Sequence, residues 1–260
     1  MTRWLIRFLS KSTCFILALA AIVVQAAPPA FAEATTPADQ ALQHTIENVV
    51  DQYIRAHPEV IEQALQALEV KRQEEEKQRV KTAIATRQND LLHDPSSPVS
   101  GNLHGDVTVV EFFDYRCGFC KRVAGAVTQL QKEDTRVRIV YKDLPILGEA
   151  SELAAKAALA SRAQGKHQSF HEALLASKGD MSKDTILAVA GEVGLNSKRL
   201  EADMANPEWL SVIDRNRALA KDLGISGTPG FIVGTELVPG ALDLNGLKEL
   251  IARAGKPKQQ

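Results

Sequence analysis

The chain has 260 residues, 45% of them hydrophobic and 24% charged, and its formal net charge is −1. These values are ordinary for a globular protein and argue against a disordered, collagen-like or polytopic membrane protein. Beyond the first 32 residues the chain carries 28 basic and 32 acidic side chains. Such mild acidity gives no support to nucleic-acid binding, which usually requires a concentrated basic surface. We therefore expect no nucleic-acid partner.

Residues 1–32 predict a cleaved export signal. Arg3, Arg7 and Lys11 form a positive segment, an apolar run follows from Cys14 to Val24, and residues 30–32 read Ala-Phe-Ala, a cleavage pattern. The run is shorter than the roughly 20 residues that a membrane-spanning helix needs, so an uncleaved anchor is the weaker interpretation. Cleavage near residue 32 leaves two of the three cysteines in an exported chain, in a compartment that we expect to be oxidising.

Residues 33–93 predict an N-terminal helical segment. Two amphipathic helices are predicted, separated at Pro58. Residues 71–79 then mix acidic and basic side chains without an apolar stripe, which is typical of a solvated helix or linker. Two short helices bury little core, so their apolar stripes must dock on the following domain or on another copy. We prefer a homo-oligomer formed through residues 38–70. The first stripe contains Leu42, Ile46, Val49, Val50 and Tyr53.

The sequence Asp-Pro-Ser-Ser-Pro at residues 94–98 predicts the start of the main domain, residues 94–260. Strand and helix patterns alternate beyond it, with a long helical region inserted at about 148–223. This order predicts an α/β fold with an inserted helical subdomain. The predicted elements are a strand at 107–113, a helix from 117, a strand at 137–141, helices broken near Gly165, residues 179–182 and Asn196, strands at 231–233 and 236–238, and a helix at 245–254.

The motif Cys117-Gly118-Phe119-Cys120 lies between a predicted strand and a predicted helix. At a helix start, free N–H groups and the helix dipole stabilise a thiolate, so we expect Cys117 to be the exposed nucleophile and Cys120 the resolving thiol. Two alternatives are less favoured. A structural zinc site needs four ligands, and the sequence has no second pair of cysteines. A structural disulfide across two residues restrains almost no chain. His167 and His171, four apart on a predicted helix, lack a third ligand, so we predict packing histidines and no metal site.

Residues 111–120, EFFDYRCGFC, together with Gly227-Thr228-Pro229 far downstream, resemble the DsbA family of the thioredoxin superfamily. The resemblance covers roughly residues 94–254 and implies a thioredoxin fold with a helical insertion. It also implies a redox-active Cys117–Cys120 disulfide, no organic cofactor, and a cis-proline at Pro229 opposite the dithiol. Substrate would then bind at Thr228, Pro229, Gly118 and Phe119.

The N-terminal helices and residues 141–148 resemble a narrower group, the ScsC-like or Com1-like exported proteins. Some members of that group are oligomeric through their N-terminal segment. The resemblance implies a periplasmic location. It also implies misfolded or reduced exported proteins as substrates, and a membrane redox partner that resets the dithiol.

Glu111, six residues before Cys117, matches a buried acid of the DsbA family. A glutamate within an apolar strand is costly unless it is paired or protonated. We predict Lys142, at the end of the adjacent strand, as its partner, and we expect Glu111 to relay the proton of Cys120 during resolution. The alternative is that Glu111 faces solvent at a sheet edge.

The dipeptide Gly118-Phe119 bears on the direction of exchange. It lacks the histidine of strongly oxidising DsbA proteins and is similar to the Gly-Tyr pair of disulfide isomerases. Weaker stabilisation of the thiolate makes a dithiol less oxidising, which favours a protein-disulfide isomerase or reductase. A DsbA-type oxidase that introduces disulfides is the first alternative. A Cu(I)-binding or chaperone protein without redox turnover is the second.

Overall fold

The computed structural model describes residues 36–254, so the predicted export signal at residues 1–32 lies outside the described residues. The chain divides into two compact units, one ending at Gln63 and the other beginning at Ala64. Within residues 36–254, none of the helices has the length and apolar character needed to cross a membrane.

Helices make up most of the described chain, and a small sheet lies among them. The helices are α1 (Pro37–Ala56), α2 (Glu59–Thr86), α3 (Gln88–Leu92), α4 (Gly118–Glu133), α5 (Glu149–Ser161), α6 (His167–Ala176), α7 (Lys183–Glu192), α8 (Ser197–Asp203), α9 (Glu208–Asp222) and α10 (Leu244–Ala254). The strands are β1 (Val99–Gly101), β2 (Val107–Phe113), β3 (Val137–Asp143), β4 (Gly230–Val233) and β5 (Glu236–Pro239).

Helix α1 starts at a well-defined cap. Thr36 is the N-cap, and its hydroxyl accepts from Asp39 N, while the Asp39 carboxylate accepts from Thr36 N. Pro37 occupies the first turn. No residue of α1 is buried. The predicted apolar stripe is therefore exposed, and its large members are Leu42, Ile46, Val49, Val50 and Tyr53.

The five-stranded sheet has the order β1-β3-β2-β4-β5. Strands β2 and β3 are parallel, and α4 provides the crossover that a parallel pair requires. Strand β4 runs antiparallel to β2. The C-terminal ends of β2 and β3 and the N-terminal end of β4 therefore lie at the same end of the sheet. The chain segments around Cys117, residues 144–148 and Pro229 emerge there.

The sheet has a hydrophobic core on each side. Its α4 face, which includes Val109 and Phe113, packs against α4, α6 and α10, and its α9 face, which includes Val110 and Phe112, packs against α3, α9 and the end of α2. Ile84 of α2 and Leu91 of α3 are fully buried members of the α9-face core. The compact unit thus begins before the predicted boundary at residue 94. Sequence patterns missed α3 and β1 because such short elements carry almost no periodicity.

The helices of the insertion end and begin near the predicted breaks. Gly165 has φ +69°, a left-handed conformation suited to glycine, and it ends a short 3₁₀ turn after α5. Ser182 and Asn196 cap α7 and α8 by accepting bonds from the backbone N–H of Thr185 and Arg199. The predicted α/β fold with an inserted helical subdomain and a preceding helical segment is confirmed.

Candidate active site

Cys117 is the N-cap residue of α4, four residues after β2 ends at Phe113. Its Sγ donates a hydrogen bond to the Thr228 carbonyl at 3.2 Å, across 111 residues of sequence, and the Thr228–Pro229 peptide bond is cis. Cys117 is 7% exposed, less than expected for an exposed nucleophile, because Thr228 lies against its sulfur. Gly118 and Phe119 are exposed beside it, and the Arg122 guanidinium lies 4.1 Å from the Phe119 ring centre.

The two thiols have opposite electrostatic environments, and both are free. Burial opposes ionisation of Cys117, but hydrogen bonds from the Thr228 side chain, from Cys120 and from the Phe119 N–H outweigh it, so the pKa of the Cys117 thiol lies below its usual value. Cys120 is completely buried, and burial raises its pKa strongly. One sulfur is thus prepared to attack, while the other holds its proton.

Glu111 is buried on the α4 face of β2, which excludes the solvent-facing alternative, and it is close enough to Cys120 to raise the pKa of that thiol, although burial is the larger cause. Its Oε1 has no hydrogen-bond partner among the described residues, and burial raises its pKa to about 8. The side chain lines a cleft of about 530 Å³ between α4 and α6, together with Gly125, Tyr141 and His171. The arrangement can hold a proton near Cys120 and exchange it along the cleft.

The predicted Glu111–Lys142 pair is wrong. In the parallel register Glu111 lies opposite Tyr141, and Lys142 lies opposite Phe112 on the α9 face, because side chains alternate along a strand. Lys142 Nζ instead donates to the Asp90 carbonyl at 2.5 Å and to Ser97 Oγ at 2.6 Å, and it lies 3.3 Å from Asp94 Oδ2. Burial lowers the pKa of Lys142. Its position is that of a structural anchor, away from the thiols.

Sequence reasoning missed a second buried acid on the α4 face. Asp143 lies two residues beyond Tyr141 on β3, neither of its carboxylate oxygens has a partner within residues 36–254, and burial raises its pKa to about 7. Nearby, Tyr115 Oη and His171 Nδ1 lie 2.9 Å apart, and both side chains are buried. The period-2 pattern from Tyr141 could have placed Asp143 on this face. Within the described range, no three His, Cys, Asp or Glu side chains are grouped to hold a metal ion.

Comparison with known families agrees with the geometry of the dithiol and the cis-proline. Residues 108–252 match the DSBA-like thioredoxin domain, and residues 43–75 match the copper resistance protein ScsC N-terminal domain. The chain belongs to the DSBA-like thioredoxin family. The predicted resemblance to DsbA and ScsC-like proteins is confirmed, and with it the thioredoxin fold.

Three solved structures illustrate the relationship. A thioredoxin-like oxidoreductase from Silicibacter pomeroyi is 46% identical, with 65% of this chain and 98% of that chain covered and a TM-score of 0.64. The thiol-disulfide exchange protein alpha-DsbA2 from Wolbachia pipientis is 33% identical, covering 68% and 96%, with a TM-score of 0.64. BcfH from Salmonella enterica Typhimurium is 26% identical, covering 83% and 96%, with a TM-score of 0.68.

Curated relatives include much longer proteins. The Na⁺/H⁺ antiporter NhaA 1 of Salinispora arenicola is 29% identical over 158 residues, which make up 60% of this chain and 24% of the antiporter. The chain thus spans about a quarter of the length of the first curated relatives that it matches.

Proposed function

We propose that this DsbA-family protein is a protein-disulfide isomerase and reductase that acts through Cys117 and Cys120. The observation that carries the proposal is the contrast between the two thiols: the pKa of Cys117 is lowered at the start of α4, while the pKa of the buried Cys120 is raised. Thiol–disulfide exchange needs a thiolate that attacks and a second thiol that resolves. The predicted export signal at residues 1–32 and the family relationship support a periplasmic location.

In reduction, the Cys117 thiolate attacks one sulfur of a client disulfide, a Cys117–client disulfide forms, and the other client sulfur leaves as a thiolate. Cys120 loses its proton and attacks Cys117 Sγ. The Cys117–Cys120 disulfide forms, the second client thiolate leaves, and two electrons have passed to the client. In isomerisation, a different client thiolate attacks the client sulfur of the mixed disulfide. A new client disulfide forms, Cys117 leaves as a thiolate, and no net electrons are transferred.

Glu111 is the proposed acceptor of the Cys120 proton. Burial is the largest cause of the raised pKa of Cys120, and the charge of Glu111 adds to it, so the two groups interact. The unpartnered Oε1 of Glu111 is free to bind a proton. A group whose pKa of about 8 lies near the working pH is suited to proton transfer in both directions. The cleft between α4 and α6 gives the proton a route to solvent.

The dipeptide between the thiols supports isomerisation over oxidation. Gly118 has no side chain, and the Phe119 ring lies under Arg122, so neither side chain donates a hydrogen bond to Cys117 Sγ. The Cys117 thiolate therefore depends on Thr228, Cys120 and backbone N–H groups. Modest stabilisation of the thiolate gives a weakly oxidising pair, which a membrane redox partner would keep reduced.

The N-terminal segment is proposed to join copies of this chain through residues 38–70. Its large apolar side chains are exposed, including Ile46 and Val50 on α1 and Leu65 and Leu68 on α2. Such a row of exposed apolar residues is expected to bury itself against another surface. Several dithiols around one misfolded client would raise the effective concentration of attacking thiolates.

Reactivation of a scrambled, wrongly disulfide-bonded enzyme in one redox buffer tests the proposal. The chain from residue 33 should restore activity, Cys117→Ser should not, and the double variant Ile46→Glu/Val50→Glu should lose isomerisation while it still reduces a small disulfide. Gln43→Glu, an exposed polar position on the same helix, is the matched control. Rapid oxidation of a reduced peptide without reactivation would instead identify a DsbA-type oxidase.

Cu(I) binding is the second candidate function, because residues 43–75 match the N-terminal domain of a copper resistance protein. Two adjacent thiols are soft ligands of the kind that Cu(I) prefers. Stoichiometric Cu(I) uptake that Cys120→Ser abolishes, with no acceleration of any disulfide exchange, would replace the isomerase proposal.

A further inference from the structure

A second cavity, of about 650 Å³, lies at the start of α6. Its walls come from residues 93–99, from Arg138 on β3, from Arg162 in the 3₁₀ turn after α5, and from the first residues of α6. It shares no lining residue with the cleft that contains Glu111. Volumes in this range are typical of sites that bind small molecules. The cavity is therefore a candidate binding site outside the dithiol site.

The start of α6 offers hydrogen-bond donors to this cavity through His167 and Gln168. The helix has ten residues, and its N-cap residue Lys166 supplies no side-chain cap, so the N–H groups of the first turn lack the acceptor that a capping side chain gives. The aligned peptide dipoles also place partial positive charge at this end of the helix. Both properties favour an anion.

Two arginines without carboxylate partners line the same cavity. Arg162 Nη1 donates to the Ser96 carbonyl at 2.6 Å, and its Nη2 donates to the Pro95 carbonyl at 2.8 Å. Arg138 Nη2 donates to the Leu92 carbonyl at 3.0 Å. Within residues 36–254, the hydrogen bonds of these guanidinium groups thus go to carbonyls. A guanidinium has five N–H donors, so each keeps free donors while its position is fixed.

His167 adds a buried polar side chain without a partner. It is 9% exposed, and its Nε2 has no hydrogen-bond partner in the described part of the chain. Burial and the charge of Arg162 lower the pKa of His167 to about 3, so the ring is neutral at neutral pH. A buried polar atom without a partner costs free energy that a bound ligand can recover. A neutral imidazole can donate from Nε2 to an anion.

The one acid among the lining residues is already neutralised. Asp94 Oδ1 accepts from Ser96 N at 2.9 Å, and its Oδ2 accepts from Ser97 Oγ at 3.2 Å and lies 3.3 Å from Lys142 Nζ. The exposed His93 is the remaining titratable group of the lining. The two arginines therefore dominate the charge of the cavity.

We propose that this cavity binds a phosphate or sulfate group, free or carried by a larger molecule, through Arg138, Arg162 and the first turn of α6, with His167 Nε2 as a further donor. The donors come from three chain segments, and a tetrahedral oxyanion presents oxygens in several directions, whereas a carboxylate has two oxygens in one plane. The volume leaves room for an organic remainder. Binding needs neither thiol, so the site goes beyond the proposed exchange reaction.

The first experiment is calorimetric titration of the chain from residue 33 with inorganic phosphate and with sulfate, at neutral pH and low ionic strength. Both should bind saturably and more tightly than acetate. Arg138→Gln should weaken phosphate binding about tenfold, because one charge-assisted contact is lost. Arg253→Gln, at an exposed position on α10, is the matched control and should bind within about twofold of the wild type.

Two further variants sharpen the assignment. Arg138→Gln/Arg162→Gln should weaken phosphate binding about 100-fold. Because Arg162 also fixes two carbonyls, this double variant can lose its fold, and Arg138→Gln alone then decides. His167→Phe keeps a buried ring against His171 but removes the nitrogen donor, and it should weaken binding about threefold.

The source of the oxyanion is distinguished with glycerol 3-phosphate and with vesicles of phosphatidylglycerol, compared with phosphatidylcholine vesicles. Tighter binding of glycerol 3-phosphate than of inorganic phosphate would identify a soluble phosphate ester. Binding to phosphatidylglycerol vesicles that Arg138→Gln weakens would identify a lipid headgroup. Either result supports the site.

Three outcomes would overturn the proposal. These are no saturable binding of phosphate or sulfate, equal binding by the wild type and Arg138→Gln, and equal weakening by Arg253→Gln, which would show general charge attraction. Cys117→Ser should bind phosphate as the wild type does. Failure of the exchange assays would therefore count against the proposed function alone, and failure of phosphate binding against this site alone.

Discussion

The two faces of the sheet differ in whether their buried ionisable side chains have partners. On the α9 face, Lys142 is completely buried and its Nζ is bound by Asp90, Asp94 and Ser97. On the α4 face, Glu111 and Asp143 are equally buried, yet Glu111 Oε1 and both Asp143 oxygens lack partners among the described residues. Lys142 and Asp143 are neighbours on β3, so one residue step separates a satisfied ion from an unsatisfied acid.

This difference separates an anchoring role from a chemical one. The hydrogen bonds of Lys142 hold residues 90–97 against the sheet. They leave its ammonium group without a chemical role. An acid buried without partners costs free energy, avoids ionisation by a raised pKa, and remains able to exchange a proton. Perturbed, unpaired acids near a reactive thiol are typical of functional sites. Four experiments test how sharp the contrast between the faces is.

The largest effect should appear in the pH dependence of stability of Glu111→Gln. The pKa of Glu111 is about 8 in the fold against 4.5 for the free side chain, so the folded protein binds one more proton between these values. The contribution of Glu111 to stability must therefore fall as pH rises from 4.5 to 8 and level off above 8. Urea unfolding at acid and alkaline pH should show the variant gaining about 5 kcal/mol relative to the wild type over this window. A constant difference would mean that Glu111 has a partner.

Lys142→Met should destabilise the fold by about 3 kcal/mol, because it leaves the Asp90 carbonyl and Ser97 hydroxyl without their donor. Unfolding midpoints in urea would measure this. Lys71→Met, at an exposed position on α2, is the control and should change stability by less than about 0.5 kcal/mol. Should the Lys142 variant unfold normally but resolve mixed disulfides slowly, Lys142 would belong to the chemistry after all.

Glu111→Gln should slow the resolving attack of Cys120 about 100-fold, as expected when a proton acceptor is removed. Rapid-quench measurement of mixed-disulfide decay gives this rate directly. Asp143→Asn is the matched control on the same face, since Asp143 is not among the groups that contribute most to the pKa of Cys120, and it should resolve within about twofold of the wild type. An unchanged rate in the Glu111 variant would reject the proton relay.

The smallest effect concerns Gly125, which lines the cleft to Glu111. An added Cβ would meet nothing within 4 Å, so Gly125→Ala should stabilise α4 by about 0.5–1 kcal/mol with no change in rate. Gly125→Leu would extend into the cleft and should slow resolution about threefold by hindering proton exchange. Equal rates for the Ala and Leu variants would place the proton route elsewhere.

The helices and strands of the main domain were predicted well because the patterns that mark them lie within a few neighbouring residues. A compact apolar run marked β2, alternation marked β3, and Gly165, residues 179–182 and Asn196 marked breaks between helices. Whether Glu111 and Lys142 form a pair was beyond such signals. Opposite charges on adjacent strands are a pair only if they share a face, and the register that decides this depends on how β2 and β3 align.

The sequence by itself determined the dithiol, its place between a strand and a helix, and the family to which residues 108–252 belong. These follow from patterns within a few residues and from the spacing of one motif. Only the tertiary structure decided which acid interacts with Cys120, that Thr228 contacts Cys117, and that Asp114 accepts a hydrogen bond from Leu147 N. Those contacts join segments far apart in sequence, and they form because parallel strands bring their C-terminal ends to a common edge while alternation sends adjacent side chains to opposite faces.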